Sequence, residues 1–446
     1  MTKDNRSDPR AAAPLPSLPE VEVRGGINLF DVARAYGTPS FINGPYTVAP
    51  RGKSSVTLLL TSNGVPVPDG EVTLTLPAGF THPEGGSQKT LLTDAAGQAT
   101  FRGVQSAAAP GSYVLTAQSG EITAKEEVTV VALASLPPVT LPDTGIDMIH
   151  SPDGTLIFIL MFPRPISSLV MINTLTGEVS TLAEGVGPAG RRAAIAVSPD
   201  SRRVYAGQSV IDVPTRQIVG VFENPLRTIG ISPDGSRLYG TYSTDNGTGM
   251  LCVMNAATLE VLARLVLPGG VSNLKVSPDG ERLYLLVRYS QKTHLHLVDA
   301  MSLTLLPVSF PESVSRMLLS HDGMRILTYV YNKGFSILNG MTLVQEGFIP
   351  LPDPPKHDSV AIYAMALSGD QRVIYAFTEN KYSGDAALHG HETEIDLDDL
   401  TWPVGSVIKE YVPSCSLSAD FHRLYYAARD LHNPPYTSLL LSKSVT

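Results

Sequence analysis

The stretch "ISPDGSRLYG", residues 231–240, sets a tight-turn signature between two apolar runs. Pro fixes one backbone dihedral, Asp accepts backbone hydrogen bonds and Gly admits a positive dihedral, so Ser-Pro-Asp-Gly reverses the chain at small cost. The signature recurs as "HSPDGTLIFIL" from His150, "VSPDSRRVYAG" from Val197, "VSPDGERLYLL" from Val276, "LSHDGMRILTY" from Leu319, "LSGDQRVIYAF" from Leu367 and "LSADFHRLYYA" from Leu417. The repeat serines are Ser151, Ser198, Ser232, Ser277, Ser320, Ser368 and Ser418, spaced 34 to 50 residues apart. Repetition at that period marks a unit that cannot bury its own faces and must pack on its neighbours.

Each copy runs from a short apolar strand through the turn into a second strand rich in Leu, Ile and Tyr. A third strand ends near Asp or Asn, as in "SLVMINTLTGE" and "LHLVDAMSLT", and a fourth follows, as in "EVLARLVLP". Four short strands per unit fit a propeller blade and leave little room for a crossover helix. The residues three before each serine, Met148, Ile195, Ile229, Leu274, Met317, Met365 and Cys415, are expected to pack between blades. Tyr239 and Tyr284 recur at one strand position and read as packing anchors. Only 28 residues follow Ser418, too few for a full blade, so "LASLPPVTLP", residues 133–142, is expected to supply the missing strand and close the ring.

With these turns, Leu-Tyr strands and Asp-ending third strands, residues 133–446 resemble the seven-bladed YVTN-type propellers, a branch of the superfamily that includes lactonase-like and nitrite-reductase-like propellers. Relatives of that kind include surface-layer proteins, binding proteins and enzymes, so the resemblance implies a fold more than an activity.

Before the repeats, residues 1–26 are a flexible Pro/Ala-rich tail and residues 27–49 a linker or short packed segment, in which Ile27, Phe30, Ala33 and Tyr36 could share a short helical face. Residues 50–132 alternate apolar and polar side chains, as at Val72, Leu74 and Leu76, enough for a small β-sandwich. Within it, "LLTDAAGQATFRGV…PGSYVLTA" is similar to the bacterial Ig-like modules of invasin- and intimin-type adhesins, which implies a spacer or presenting domain. The fold class is therefore all-β: an N-terminal Ig-like sandwich, mounted through a short connector, then a seven-bladed propeller of four-stranded blades.

A formal net charge of −9 with no basic block argues against a grip on nucleic acid or an anionic membrane, which needs clustered Lys and Arg. Two cysteines, Cys252 and Cys415, cannot make a disulfide framework. The amino terminus lacks the apolar segment of a secretory signal, and no stretch is long enough to span a bilayer. A cytoplasmic location is the expectation, with signal-independent export or surface association left open.

Candidate chemistry is sparse. "APRGKSSV", residues 49–56, contains Gly-Lys-Ser, but the glycine a phosphate loop needs upstream is Thr47, so Lys53 reads as a solvated residue entering a strand. His389, His391 and Glu392 lie in an acidic stretch and are weak metal candidates without a third defined ligand. "NGT" at Asn246–Thr248 reads as a polar loop. No Gly-x-Ser-x-Gly elbow is present, and the periodic Ser and Asp residues have a structural cause in the turns. The residues four before each serine, Asp147, Ala194, Thr228, Asn273, Arg316, Ala364 and Ser414, are expected around the central funnel, with Arg191, Arg192 and Arg227 adding positive potential at one mouth. No catalytic residue and no cofactor are expected. The reading is a non-enzymatic binding or interaction protein whose partner is a protein or a surface glycan. The alternatives are a lactonase-like enzyme or metal-dependent binder using the funnel, and an envelope or adhesion component.

Overall fold

The structure, a computed structural model, describes residues 36–132, 136–161, 167–186, 194–244, 247–351, 357–382, 389–400, 406–408, 410–418, 423–430 and 438–445. Ile27, Phe30 and Ala33 lie outside them, as do the first 35 residues generally. The architecture is all-β, and among the described residues no helix is long and apolar enough to cross a membrane.

Each repeat folds into one four-stranded antiparallel sheet reminiscent of a propeller blade. Sheet 1 comprises Gly145–His150, Leu156–Met161, Ser168–Asn173 and Val179–Glu184 in chain order. Sheets 2 to 6 repeat that order, with first strands Ile195–Val197, Thr228–Ile231, Gly270–Val276, Val314–Leu319 and His357–Leu367. Sheet 7 takes three strands from the end of the chain, beginning with Glu410–Leu417. Its fourth is Val139–Leu141, which pairs antiparallel with Ser438–Ser444 through Val139↔Leu440 and Leu141↔Ser438. Pro137, Pro138 and Pro142 bracket this strand and lack the N–H a longer ladder requires, which holds it to three residues.

The serine of the turn is the keystone of each sheet. Ser232 is buried, donates to Asp234 Oδ1 at 2.5 Å and accepts the Arg237 N–H at 2.9 Å, so one hydroxyl fixes the turn and starts the second strand. The same pair of bonds is made by Ser151, Ser198, Ser277, Ser320 and Ser368. Ser418 accepts the Arg423 N–H at 3.0 Å. Pro and Gly are the dispensable members of the motif. Ser201 and Gln371 take the Gly position at φ 60° and 65°, at the strain a non-Gly residue carries there.

The departures in sheets 5 and 6 are coupled. Successive turns nest: a β-carbon at Gly323 would stand 2.7 Å from Pro278 Cδ, and one at Gly235 would stand 3.1 Å from Pro199 Cδ. Where sheet 5 has His321 in the Pro position, sheet 6 has Gln371 in the Gly position, and Gln371 Oε1 accepts the His321 N–H at 3.0 Å. His321 Nε2 also lies 3.2 Å from the Ser368 carbonyl. A polar contact thus replaces an apolar nesting.

Between sheets, packing follows the repeat. Met148 packs with Tyr425 and Ala427 of sheet 7, Ile195 with Phe158 and Leu160 of sheet 1, Ile229 with Tyr205 of sheet 2, and Leu274 with Tyr239 of sheet 3. Met317 packs with Tyr284 of sheet 4, Met365 against Tyr329 of sheet 5, and Cys415 against Phe377 of sheet 6. Each residue three before the serine therefore covers the preceding sheet. Tyr239 and Tyr284 are buried, and Tyr284 Oη donates to the Gly340 carbonyl of sheet 5 at 2.8 Å. Arg203 reaches Ala256 O of sheet 3 in the same sense, at 3.2 Å. The first strand of each sheet neighbours that of the next, and that of sheet 7 neighbours that of sheet 1.

Residues 38–130 form two further sheets around one apolar core. One joins Thr38–Phe41, Lys53–Ser62, Val65–Pro66 and Gln98–Gln105; the other runs Tyr46–Val48, Ile122–Val130, Gly111–Ser119, Glu71–Thr75, Gln88–Leu92. Val56, Leu58 and Leu60 meet Val72, Leu74, Leu115 and Val128 between them. Two strands thus lie in the stretch read from sequence as linker, because three- and four-residue edge strands carry too little alternation to register. This unit hydrogen-bonds to the turn of sheet 1. Ala49 N–H donates to Asp153 O at 2.8 Å and Lys53 N–H to Pro152 O at 2.7 Å, while a β-carbon on Gly52 would overlap the Asp153 carbonyl oxygen.

Two outcomes follow. Ser232→Ala should cost about 1–3 kcal/mol in urea unfolding, because the part-buried Arg237 N–H loses its acceptor, whereas exposed Ser236→Ala should stay within about 0.5 kcal/mol. Gly52→Val should separate the two units, so that calorimetry resolves an early transition for residues 38–130 that the parent protein does not display.

Candidate functional site

The first strands carry an irregularity that the repeat does not advertise. Their pairing with the second strands slips between Gly145 and Asp147, Val271 and Asn273, Val314 and Arg316, and Ile362 and Ala364. The extra residues, Ile146, Ser272, Ser315 and Tyr363, all stand five before the repeat serine. Sheet 7 slips in the same region, between Tyr411 and Ser414. A bulge bends the strand and re-aims the side chain beside it, so Asp147, Asn273 and Arg316 each follow such a bend.

Three of these strands bring charge together. The Asp147 carboxylate accepts the Met148 N–H at 3.0 Å and is hydrogen-bonded by the Ile195 backbone of sheet 2. Desolvation pushes its pKa up from 3.8 to about 6, against the opposing pull of Lys275 on sheet 4 and Arg316 on sheet 5. Arg316 donates from Nε to the Ile362 carbonyl of sheet 6 at 3.1 Å, and its charge also acts on the Cys415 thiol of sheet 7. The Asp147 carboxyl thus lies within electrostatic reach of sheets 4 and 5, and the Cys415 thiol within reach of sheet 5. Beside them, His150 Nδ1 lies 2.8 Å from Ser416 Oγ, joining sheet 1 to sheet 7.

The other positions read from sequence divide by orientation. Asn273 is half-buried. Thr228 is buried, its Oγ1 2.6 Å from Thr241 Oγ1, and therefore turns into its own sheet. Ala364 is buried with Phe377 and Val412, and Ala194 packs against the core between sheets 2 and 3. Ser414 pairs with Ala427. Arg227 is exposed at the end of the sheets opposite the turns, where its N–H donates to Thr241 O at 2.7 Å. Arg191 and Arg192 lie outside the described residues. Lys275 was not anticipated, because it stands two before its serine rather than four. Its parity with Asn273 past the bulge was the available signal.

Glu392 is engaged by Lys443 Nζ at 2.6 Å, and Glu394 by the same ammonium at 2.8 Å, which ties sheet 6 to sheet 7. His389 and His391 occupy the third strand of sheet 6, paired with Asn380 and Thr378. Among the described residues, no group of three His, Cys, Asp or Glu side chains could hold a metal ion. The Gly-Lys-Ser stretch leads into the strand Lys53–Ser62 with Lys53 exposed. Burial pushes the Cys252 thiol up to about 11 and that of Cys415 up as well, so both are protonated at neutral pH.

No protein-family model matches the chain, and no curated protein sequence matches it. Similarity appears at the level of fold. A structure of Kuenenia stuttgartiensis hydrazine synthase superposes with a TM-score of 0.53 at 17% identity, covering 69% of this chain and 97% of that one. The Cps50 (Swd1) beta-propeller domain of Myceliophteria thermophila superposes with a TM-score of 0.51 at 14% identity, covering 70% of this chain and all of that domain.

A raised carboxyl pKa carries a sign. The folded protein disfavours the ionised Asp147, so its contribution to stability declines as pH rises from about 4 through about 6. Asp147→Asn should therefore stabilise the protein by about 1–3 kcal/mol at pH 7.5 and leave it unchanged at pH 4, as read from urea unfolding at the two pH values.

Proposed function

We propose that the seven repeat sheets form a closed seven-bladed propeller carried by an Ig-like sandwich, and that the protein is a non-enzymatic binding module. Recognition is placed at the end of the propeller opposite the turns. The observation that carries this reading is the seat of the sandwich. Its Ala49–Lys53 segment hydrogen-bonds to the turn of sheet 1; on the turn of sheet 5 burial holds the His321 pKa down, with Lys53 adding to the effect, and Arg102 acts electrostatically on Asp234 on the turn of sheet 3. One hydrogen-bonded seat and two electrostatic influences on the same face support a sandwich lying across it, which leaves the other mouth as the accessible one.

The connections at that mouth suit recognition. They range from the two residues Ser290–Gln291, between paired strands, to the longer span between Glu184 and Ile195. A rigid scaffold with unequal loops on one face is the usual arrangement for a binding surface. Arg227 and Arg288 are exposed there. The partner on this reading is a protein or a surface glycan that meets this face. The domain limits proposed are a sandwich from residue 38 to about 132 and a propeller from about 133 onward.

The test is affinity capture with the full chain from extracts of the source cells, repeated with an Arg227→Glu, Arg288→Glu double variant and with a turn-face variant, Ser236→Glu. Capture lost in the first and kept in the second is the expected result. Capture lost only in the turn-face variant overturns the assignment of the face. Catalytic turnover in a broad hydrolase screen, abolished by Arg316→Gln, overturns the non-enzymatic reading.

A further inference from the structure

We propose that the hairpin joining the second and third strands of sheet 4 is released by acid through His296, whose imidazole packs beneath the hairpin with Tyr289 and His294. The hairpin lies at the mouth opposite the turns, so the inference deepens the binding reading above and rests on it for its consequence, an acid-labile part of the recognition face. The two strands, Arg282–Tyr289 and Lys292–Asp299, pair without a slip, with Tyr289 opposite Lys292, Val287 opposite His294 and Leu285 opposite His296. Directly opposed residues share a face of the sheet. Leu285 and Val287 belong to the apolar cluster between sheets 3 and 4, and Tyr289 packs against it, so both imidazoles stand on the side of sheet 3.

The repeat does not call for an imidazole there. Its counterparts in the other sheets, each opposite the residue eight after the repeat serine, are Val170, Ser209, Cys252, Ser336, Thr393 and Leu441. His296 is half-buried, and its Nε2 is buried without a hydrogen-bond partner among the described residues. The Tyr289 ring is stacked on that of His294 at 4.4 Å and lies 5.9 Å from that of His296, and the two imidazoles are 6.4 Å apart. Above this cluster the chain reverses through Ser290 and Gln291, at φ 49° and 62°. Two successive left-handed residues are the usual place of Asn-Gly, so this tip depends on the packing beneath it.

Protonation turns both ring nitrogens of His296 into donors, and the buried Nε2 then has nothing to donate to. On its own strand the neighbours are His294 and, beyond it, exposed Lys292; the adjacent strands supply Tyr289 and, opposite His296, Ser309. Sheet 3 presents Leu251, Val253 and Leu267 to this cluster. Burial first, and the charge of His294 second, hold the His296 pKa below its usual 6.5, and among the described residues no carboxylate opposes them. The sign follows. The folded hairpin keeps its full stability above about pH 6.5 and loses it as pH falls from there through the lowered pKa, because the open form takes up the proton more readily.

Hydrogen exchange of the full chain at pH 5 and 7.5, read by mass spectrometry on peptides carrying Val287–His296 and corrected for intrinsic rates, tests the proposal. Protection should fall at pH 5, by at most tenfold for each factor of ten that burial takes from the proton affinity of His296. The matching hairpin of sheet 5, Val330–Gly334, should keep its protection. His296→Ser and His296→Leu, which install the residues that sheets 2 and 7 carry at this position, should each lose the pH dependence, and thermal unfolding at pH 7.5 checks that they fold. His294→Ser should keep the dependence in weaker form, since burial of His296 remains. Protection that ignores pH, a dependence that survives in either His296 variant, or its complete loss in His294→Ser overturns the proposal. Capture at both pH values separates the two readings: an acid-labile hairpin without capture leaves this inference standing and removes the binding module, and capture with an acid-stable hairpin does the reverse.

Discussion

The architecture depends on a hydroxyl that is buried and used twice. In six of the turns a serine gives its proton to the aspartate two residues on and takes the backbone N–H five residues on, and in the seventh Ser418 takes the Arg423 N–H, so the reversal and the start of the next strand are set by one atom. Burial makes the arrangement demanding, because a donor or acceptor left unpaired away from water costs more than the bond itself contributes. Ser and Asp persist in all seven copies, whereas the Pro and Gly positions vary. The two retained residues make the bonds, and the two variable ones only ease the backbone into place.

With the turns fixed, the sheets can be stacked in only one sense. Residues three before the serine cover the preceding sheet, while Arg203 and Tyr284 reach hydrogen-bond acceptors on the following one. A sheet is therefore held from both sides, and the apolar clusters bridge successive sheets instead of belonging to one. The ends of the repeat chain are joined by the same logic. Val139–Leu141 enters the last sheet beside Ser438–Ser444, and His150 with Ser416 and Met148 with Tyr425 link the first sheet to the seventh. Lys443, bound to Glu392 and Glu394, secures the seventh to the sixth.

Lys275 and Arg316 stand far from Asp147 in sequence, yet both act electrostatically on its carboxyl from sheets 4 and 5. These groups also join sheets: Arg316 donates to the Ile362 carbonyl of sheet 6, and the Ile195 backbone of sheet 2 bonds the Asp147 carboxylate. The resemblances in fold, at 17% and 14% identity, speak to architecture and leave the chemistry of this region to its own residues.

From the sequence alone came the repeat, the positions of its turns, the strands around them and the inter-sheet role of residues such as Met148 and Leu274. These are local or periodic properties, and a period of two with a turn every unit is visible in the letters themselves. Tertiary structure decided the rest. His321 and Gln371 look like independent departures from the motif until the nesting of sheets 5 and 6 pairs them. Thr228 and Arg316 share a repeat position, yet one is bonded to Thr241 within its sheet and the other extends to Ile362 on the next. Side-chain reach and a bulge that breaks alternation determine that difference; the bulge recurs five residues before the serine, but on Ile146, Ser272, Ser315 and Tyr363, with no shared residue type to mark it. Lys275 escaped because its charge acts on Asp147, a residue far from it in sequence.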